Sequence, residues 1–121
     1  TGPYFLYAAV RIKSLLRSAK EKGVDIGTII PKEPAEQQLV LLLDRFDMAL
    51  GLSEDKFIPH VLCEHVYLLA QSFSKFYADC PILAGNVPAD VQSSRLALAA
   101  ATLKQLEIGL DLLGIETPER M

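Results

Sequence analysis

Leu96, Ala99, Leu103, Leu106, Leu110 and Leu113 recur at alternating steps of three and four, the cleanest periodicity in the chain. That spacing is the core stripe of an α-helix, and a stripe so wide is stable only when other helices cover it. The helix starts near Pro88 to Asp90; Gly114 terminates it and Pro118 blocks its continuation. Three other segments repeat the period. Pro59 to Asp79 carries Leu62, Val66, Leu69, Phe73 and Phe76, led by Ile58 and closed by Cys80-Pro81, with Pro59 in its first turn and Ser53 capping a short turn before it. A helix from about Pro34 to Leu50 carries Leu39, Leu43, Phe46 and Leu50, and Gly51 ends it. Pro3 to Lys22 opens the chain, with Pro at its first position and Gly23 as its stop. The connector VDIGTIIPKEP (24–34) holds Gly27, Pro31 and Pro34, and its Ile26, Ile29 and Ile30 are expected to pin it to the core. No segment with turn signals on both sides alternates with the period of a strand. The reading is all-α, a helical bundle of four main helices with short connecting turns, forming a single domain over 1–121 with no internal repeat.

The opening helix carries two stripes. Phe5, Ala8/Ala9, Ile12, Leu15/Leu16 and Ala19 form its core side. Tyr4, Tyr7, Arg11, Ser14 and Ser18 form a second, about a quarter-turn away at roughly 100° per residue. Two phenols and a guanidinium on one face can stack on unpaired bases and grip phosphate. The same residues also suit a plain core edge, with the Tyr hydroxyls wet and Arg11 paired to a carboxylate. Leu6 and Val10, on the back of this helix, offer a face for protein docking.

At 121 residues the chain can bury something like two-thirds of its unfolded surface. It holds no apolar run long enough to span a bilayer and no signal-peptide pattern, so a cytoplasmic protein is expected. It begins without Met, which favours an excised fragment. The net charge of −3 argues against a protein that coats DNA or RNA by charge alone. Its distribution is uneven: Arg11, Lys13, Arg17, Lys20 and Lys22 face only Glu21 among residues 1–22, whereas the remainder is strongly acidic. A polyanion would therefore bind near the first helix, although a solvated basic face accounts for the run as well. Cys63 and Cys80 lie seventeen residues apart along one helix, roughly 25 Å, far beyond disulfide reach.

The sequence offers little catalytic chemistry. His60, Cys63, Glu64 and His65 cluster on the third helix, but only His60 and Glu64 share a face, and no second cluster completes a metal site. A Cys63–His60 nucleophile pair has no orienting third group. No glycine-rich phosphate loop, G-x-S-x-G elbow or H-E-x-x-H motif occurs. Glu54/Asp55 and Asp44/Asp47 sit at solvated helix surfaces or ends. No catalytic residue, metal site or cofactor is assigned to this chain.

Three stretches, YFLYAAVRIKSLLR (4–17), LLAQSFSKFYADCPIL (68–83) and RLALAAATLKQLEIGLDLLGIETPERM (95–121), resemble the C-terminal helical domain of arginyl-tRNA synthetases in order and spacing. A related domain occurs in the β subunit of bacterial glycyl-tRNA synthetase, but the closing GLDLLGIETPERM is similar to the arginine enzyme. The resemblance implies an all-α anticodon-binding domain whose partners are the anticodon loop of tRNA(Arg) and the catalytic domain of the same polypeptide. In the family that catalytic half activates arginine with ATP and Mg²⁺, and it carries HIGH-like and KMSK-like signatures absent here. The family's anticodon contacts fall on Tyr4, Tyr7, Arg11 and the terminal Met121; of the basic residues after Arg11, Lys13 and Arg17 are expected to serve as auxiliary phosphate contacts. Ala9 stands where the family more often has a polar residue. A helical protein-interaction module is the rival reading.

Overall fold

A computed structural model of the chain describes residues 2–49 and 59–115. Leu50, Gly51, Ser53, Glu54, Asp55, Ile58, Pro118 and Met121, on which expectations above also rest, lie outside them. Four main helices are present among the described residues: α1 (Gly2–Glu21), α2 (Pro34–Asp44), α3 (Pro59–Asp79) and α4 (Ala89–Leu112). No strand occurs among the described residues. Gly23 stops α1 at φ 71° and Gly114 follows α4 at φ 80°, the left-handed conformation that glycine adopts without steric cost.

Contacts between helices set their directions. Arg95 reaches Glu36 and Gln105 reaches Leu43, so α2 and α4 run parallel. Lys13 meets Glu107, and Gly27 donates to the Ser93 carbonyl, so α1 and α4 run antiparallel. Gly109 lies against Val66 while Arg95 lies against the Pro81 carbonyl, so α3 also opposes α4. The result is an up-down-up-down bundle in which α3 and α4 each pack on every other helix. The start of α1 and the end of α4 share one end of the bundle.

The periodic residues form the core. Leu62, Val66, Leu69, Phe73 and Phe76 are buried on α3, as are Leu96, Ala99, Leu106 and Leu110 on α4, with Leu103 and Leu113 packed at the margin. Leu96 to Ala99 are all buried, so this part of α4 has no exposed side. Thr102, fully buried, donates its hydroxyl to the Leu98 carbonyl at 2.8 Å. A Cβ on buried Gly109 would stand 2.6 Å from Val66 Cγ2, so glycine is what lets α3 and α4 approach closely there.

Two expectations need correction. The second helix does not run unbroken to Leu50: α2 ends at Asp44, and the Arg45 N–H bonds back three residues to the Leu42 carbonyl at 3.1 Å. That tighter turn keeps Phe46 and Ala49 buried in the short helical piece that follows (46–49). Nor do the connector isoleucines enter the core. Ile26 is 55% exposed, Ile30 52%, and Ile29 is exposed as well. Hydrogen bonds hold the connector instead: Gly27 N–H to the Ser93 carbonyl (3.1 Å) and Ile30 N–H to Ser94 Oγ (2.8 Å). Gly27 has no side chain to keep it off α4, where a Cβ would meet Ser93 Cβ at 2.8 Å.

One buried ion pair ties three segments together. Glu36 Oε1 accepts the backbone N–H groups of Lys32 and Glu33, closing a capping box at the start of α2. Its Oε2 accepts Arg95 Nε at 2.8 Å, and Arg95 Nη1 donates to the Pro81 carbonyl at 2.6 Å. Burial pushes the Glu36 carboxyl pKa up, but the Arg95 hydrogen bond, the two backbone N–H groups and the guanidinium charge outweigh it, leaving the pKa below the ordinary value. Its stabilisation is therefore present above about pH 4.3 and is lost as pH falls through the depressed folded value. Arg95→Met strands this carboxylate and is expected to cost about 3 kcal/mol at neutral pH. Urea unfolding from about pH 3 to 7 should show that difference shrinking on the acid side. Gly109→Ala gains about 1 kcal/mol of helix propensity but overpacks against Val66 at a cost of about 1–3 kcal/mol. The net expectation is a lower unfolding midpoint, partly restored when Val66→Ala is added.

Candidate functional site

The second stripe of α1 follows the groove between α1 and α3. Core packing of Phe5, Ala8, Ile12 and Leu15 rotates the stripe outward at their shoulder. Tyr7 is 61% exposed and Arg11 is exposed beside it. Tyr4 is only half-buried, its ring tilted against Tyr67 at 5.6 Å between centroids and edge-on to Phe5. The three aromatic positions therefore differ: Tyr7 presents a whole ring, whereas Tyr4 and Tyr67 brace one another.

The Arg11 guanidinium sits 5.1 Å over the Tyr77 ring, which itself stacks on Phe73 at 5.9 Å and 29°. This ladder runs from the core to an exposed guanidinium, whose delocalised plane is suited to stacking in a way that lysine is not. Tyr77 was not singled out by sequence reasoning. It lies four residues after Phe73 on α3, so its phenol falls beside the core stripe, but only helix packing shows that Arg11 covers it.

Beyond Arg11 the stripe enters a groove of about 590 Å³, bounded by Ser14 and Ser18 of α1, by Lys22 in the turn after it, and by Tyr77 and residues 81–84. Ile82 is buried under that loop and Leu15 under the helix wall, and the Arg95–Pro81 hydrogen bond holds the loop's start.

Lys13 does not join the stripe. Its side chain is 10% exposed and its ammonium lies 3.4 Å from Glu107 of α4, on the far flank of α1. Arg17 is half-buried. Ala9 is fully buried, which accounts for its apolar character. On the back of α1, Leu6 and Val10 are half-buried, and Leu6 packs on the core. Met121 lies outside the described residues, although α4 does end where α1 begins.

The α3 cluster divides between solvent and core. His60 and Glu64 are exposed, whereas His65 is buried against Phe46 at 5.8 Å. Burial pushes the His65 pKa down and the Arg45 charge adds to this, so the ring is neutral near pH 7. Among the described residues no three His, Cys, Asp or Glu side chains are placed to hold a metal. Cys63 and Cys80 are free thiols, and burial first of all raises the pKa of Cys80, which keeps it protonated. No helix of the described residues is long and apolar enough to cross a membrane.

Comparison with known proteins agrees with this geometry. Residues 5–121 match the sequence model of the DALR anticodon binding domain. Over its whole length the chain is 57% identical to the arginine–tRNA ligase of Maricaulis maris and 43% identical to that of Cutibacterium acnes, covering 20% and 24% of those proteins. Its fold superposes on Thermus thermophilus arginyl-tRNA synthetase with a TM-score of 0.86 at 34% identity, covering all of this chain and 21% of that one. The Plasmodium falciparum arginyl-tRNA synthetase gives a TM-score of 0.80 at 25% identity, again over all of this chain and 21% of the other. The chain thus spans about a fifth of the length of the relatives it matches. With four helices in this order, an exposed Tyr7–Arg11 ridge and a family match over nearly every residue, the chain belongs to the DALR anticodon binding domain family, in the form found in arginyl-tRNA synthetases.

Proposed function

We propose that residues 1–121 are the anticodon-binding domain of an arginine–tRNA ligase, a C-terminal portion of a longer cytoplasmic polypeptide. Its catalytic domain, outside this chain, joins arginine to tRNA(Arg) with ATP and Mg²⁺. The observation that carries this reading is the exposed Tyr7 ring beside an Arg11 guanidinium that sits over the Tyr77 ring.

Anticodon bases are unpaired and can be splayed onto aromatic faces. Tyr7 offers such a face without rearrangement of the core. Arg11 offers both a stacking plane and a charge-assisted donor for phosphate. Tyr4, braced by Tyr67, sets the edge of the platform and presents its remaining surface to a neighbouring base. Met121 is included in this proposal because α4 ends at the Tyr4 end of the bundle, where an apolar side chain would close over a stacked base. Lys13, engaged with Glu107, is not assigned a phosphate.

The relatives named above are arginine enzymes, which favours arginine over glycine as the amino acid. A docking role for Leu6 and Val10 is disfavoured because the fold already covers most of each.

In the full-length enzyme, Tyr7→Ala is expected to weaken tRNA binding by about 1–3 kcal/mol, raising the half-saturating tRNA concentration roughly 5- to 150-fold. An unchanged half-saturation in aminoacylation assays rules the assignment out. Titrating tRNA onto the isolated chain at several salt concentrations should give a shallow log–log slope, because few phosphates are contacted and the net charge is −3.

A further inference from the structure

We propose that the groove beyond Arg11 holds the sugar–phosphate backbone of the RNA strand whose bases stack on Tyr7, with Ser14, Ser18 and Lys22 as its phosphate-binding groups. The inference rests on the anticodon-binding reading and gives that reading a second, sequence-independent contact.

The chemistry of the groove differs from that of the chain around it. The protein carries 15 acidic residues against 12 basic ones, yet among the described residues the groove is lined by two cations, two hydroxyls, one phenol and no carboxylate. Asp79, close by in sequence, is exposed and paired with Lys75 at 3.0 Å. A concavity of one charge sign on a protein of the other sign selects its ligand by charge, and phosphodiester is the anion that a neighbouring base platform would deliver. Hydroxyls add directional hydrogen bonds to phosphate oxygens and ribose.

Continuity points the same way. Tyr7, Arg11, Ser14 and Ser18 follow steps of four, three and four along one face of α1, and Lys22 follows four residues on, in the turn just past its end, so the set spans about 22 Å. A strand placed with one base on Tyr7 meets Arg11 next and then the groove. The cations that sequence alone would assign to phosphate are elsewhere, Lys13 against Glu107 and Arg17 half-buried. The negative end of the α1 dipole opposes an anion near Lys22, and the charges of Lys20 and Lys22 offset it.

The site is also built in advance. Phe73 supports Tyr77, Ile82 anchors the loop from below, and Arg95 holds the Pro81 carbonyl while its own charge is engaged by Glu36. A groove with fixed walls loses little conformational freedom when it is filled.

The test compares full-length enzyme carrying Lys22→Ala, Ser18→Asp or Tyr7→Ala, with tRNA binding titrated across salt concentrations and thermal midpoints checked for each. Lys22→Ala should lower the slope of log affinity against log salt by about 0.8. Ser18→Asp, which sets a carboxylate against the phosphate, should raise half-saturation on the order of tenfold. Tyr7→Ala should raise half-saturation with the slope unchanged. If Tyr7→Ala is impaired but both groove variants bind as wild type, the groove proposal is overturned and the base platform stands. A loss in Lys22→Ala that is equal at every salt concentration also overturns it, because a backbone contact must be ionic. Groove variants that bind poorly beside an unaffected Tyr7→Ala overturn the platform alone, and three silent variants overturn both. Should Ser18→Asp lower the thermal midpoint, Lys22→Ala, at an exposed position, decides the matter.

Discussion

Between Leu96 and Ala99 helix α4 buries every side chain it has, and this is possible only with three other helices around it at once. Gly109 brings α3 within van der Waals range, Lys13 of α1 reaches Glu107, and Gln105 donates to the Leu43 carbonyl at the end of α2. A helix surrounded in this way leaves its neighbours no freedom to rotate, because each must turn its apolar stripe toward the same axis. Once α1 has turned Phe5, Ala8, Ile12 and Leu15 inward, the adjoining stripe is held out along the line where α1 meets α3. The exposure of Tyr7 and Arg11 is thus a consequence of how α4 is packed.

The buried Glu36–Arg95 pair acts on a different level. It contributes less through net energy, since desolvation offsets most of the Coulomb gain, than through the segments it brings together. Glu36 ends the connector and begins α2, Arg95 belongs to α4, and the Pro81 carbonyl opens the loop that walls the groove. A single guanidinium therefore couples capping of one helix to the shape of a surface on the opposite flank. The acid-free lining of that surface follows from the same division of labour, with carboxylates such as Glu36 and Glu107 engaged elsewhere.

The polar residues of α3 contribute no comparable site. His65 is held neutral against Phe46, and its Nε2, like Gln105 Oε1, has no hydrogen-bond partner among the described residues. His60 and Glu64 face solvent. His60, Glu64 and His65 line one open cavity beside Arg45, yet among the described residues no three His, Cys, Asp or Glu side chains are placed to hold a metal.

Much of this was legible in the chain itself. Helix number, the ends at Gly23 and Gly114, the core stripes of α3 and α4 and the quarter-turn between the two stripes of α1 all depend on neighbours three or four residues apart, and that periodicity is written in the sequence. Other features pair residues far apart along the chain: the turn at Arg45 that buries Phe46 against His65, the capture of Lys13 by Glu107, the ladder of Arg11 on Tyr77, and the hydrogen-bonded connector whose isoleucines stay outside. Hydrophobicity alone placed those isoleucines in the core, because it takes no account of the space that Ser93 and Ser94 already fill. The sequence by itself determined which face of each helix packs and that two phenols and a guanidinium share the face beside it. Only the tertiary structure decided which cations remain on that face and what lies beneath Arg11, since charge pairing and ring stacking across helices depend on where distant segments meet.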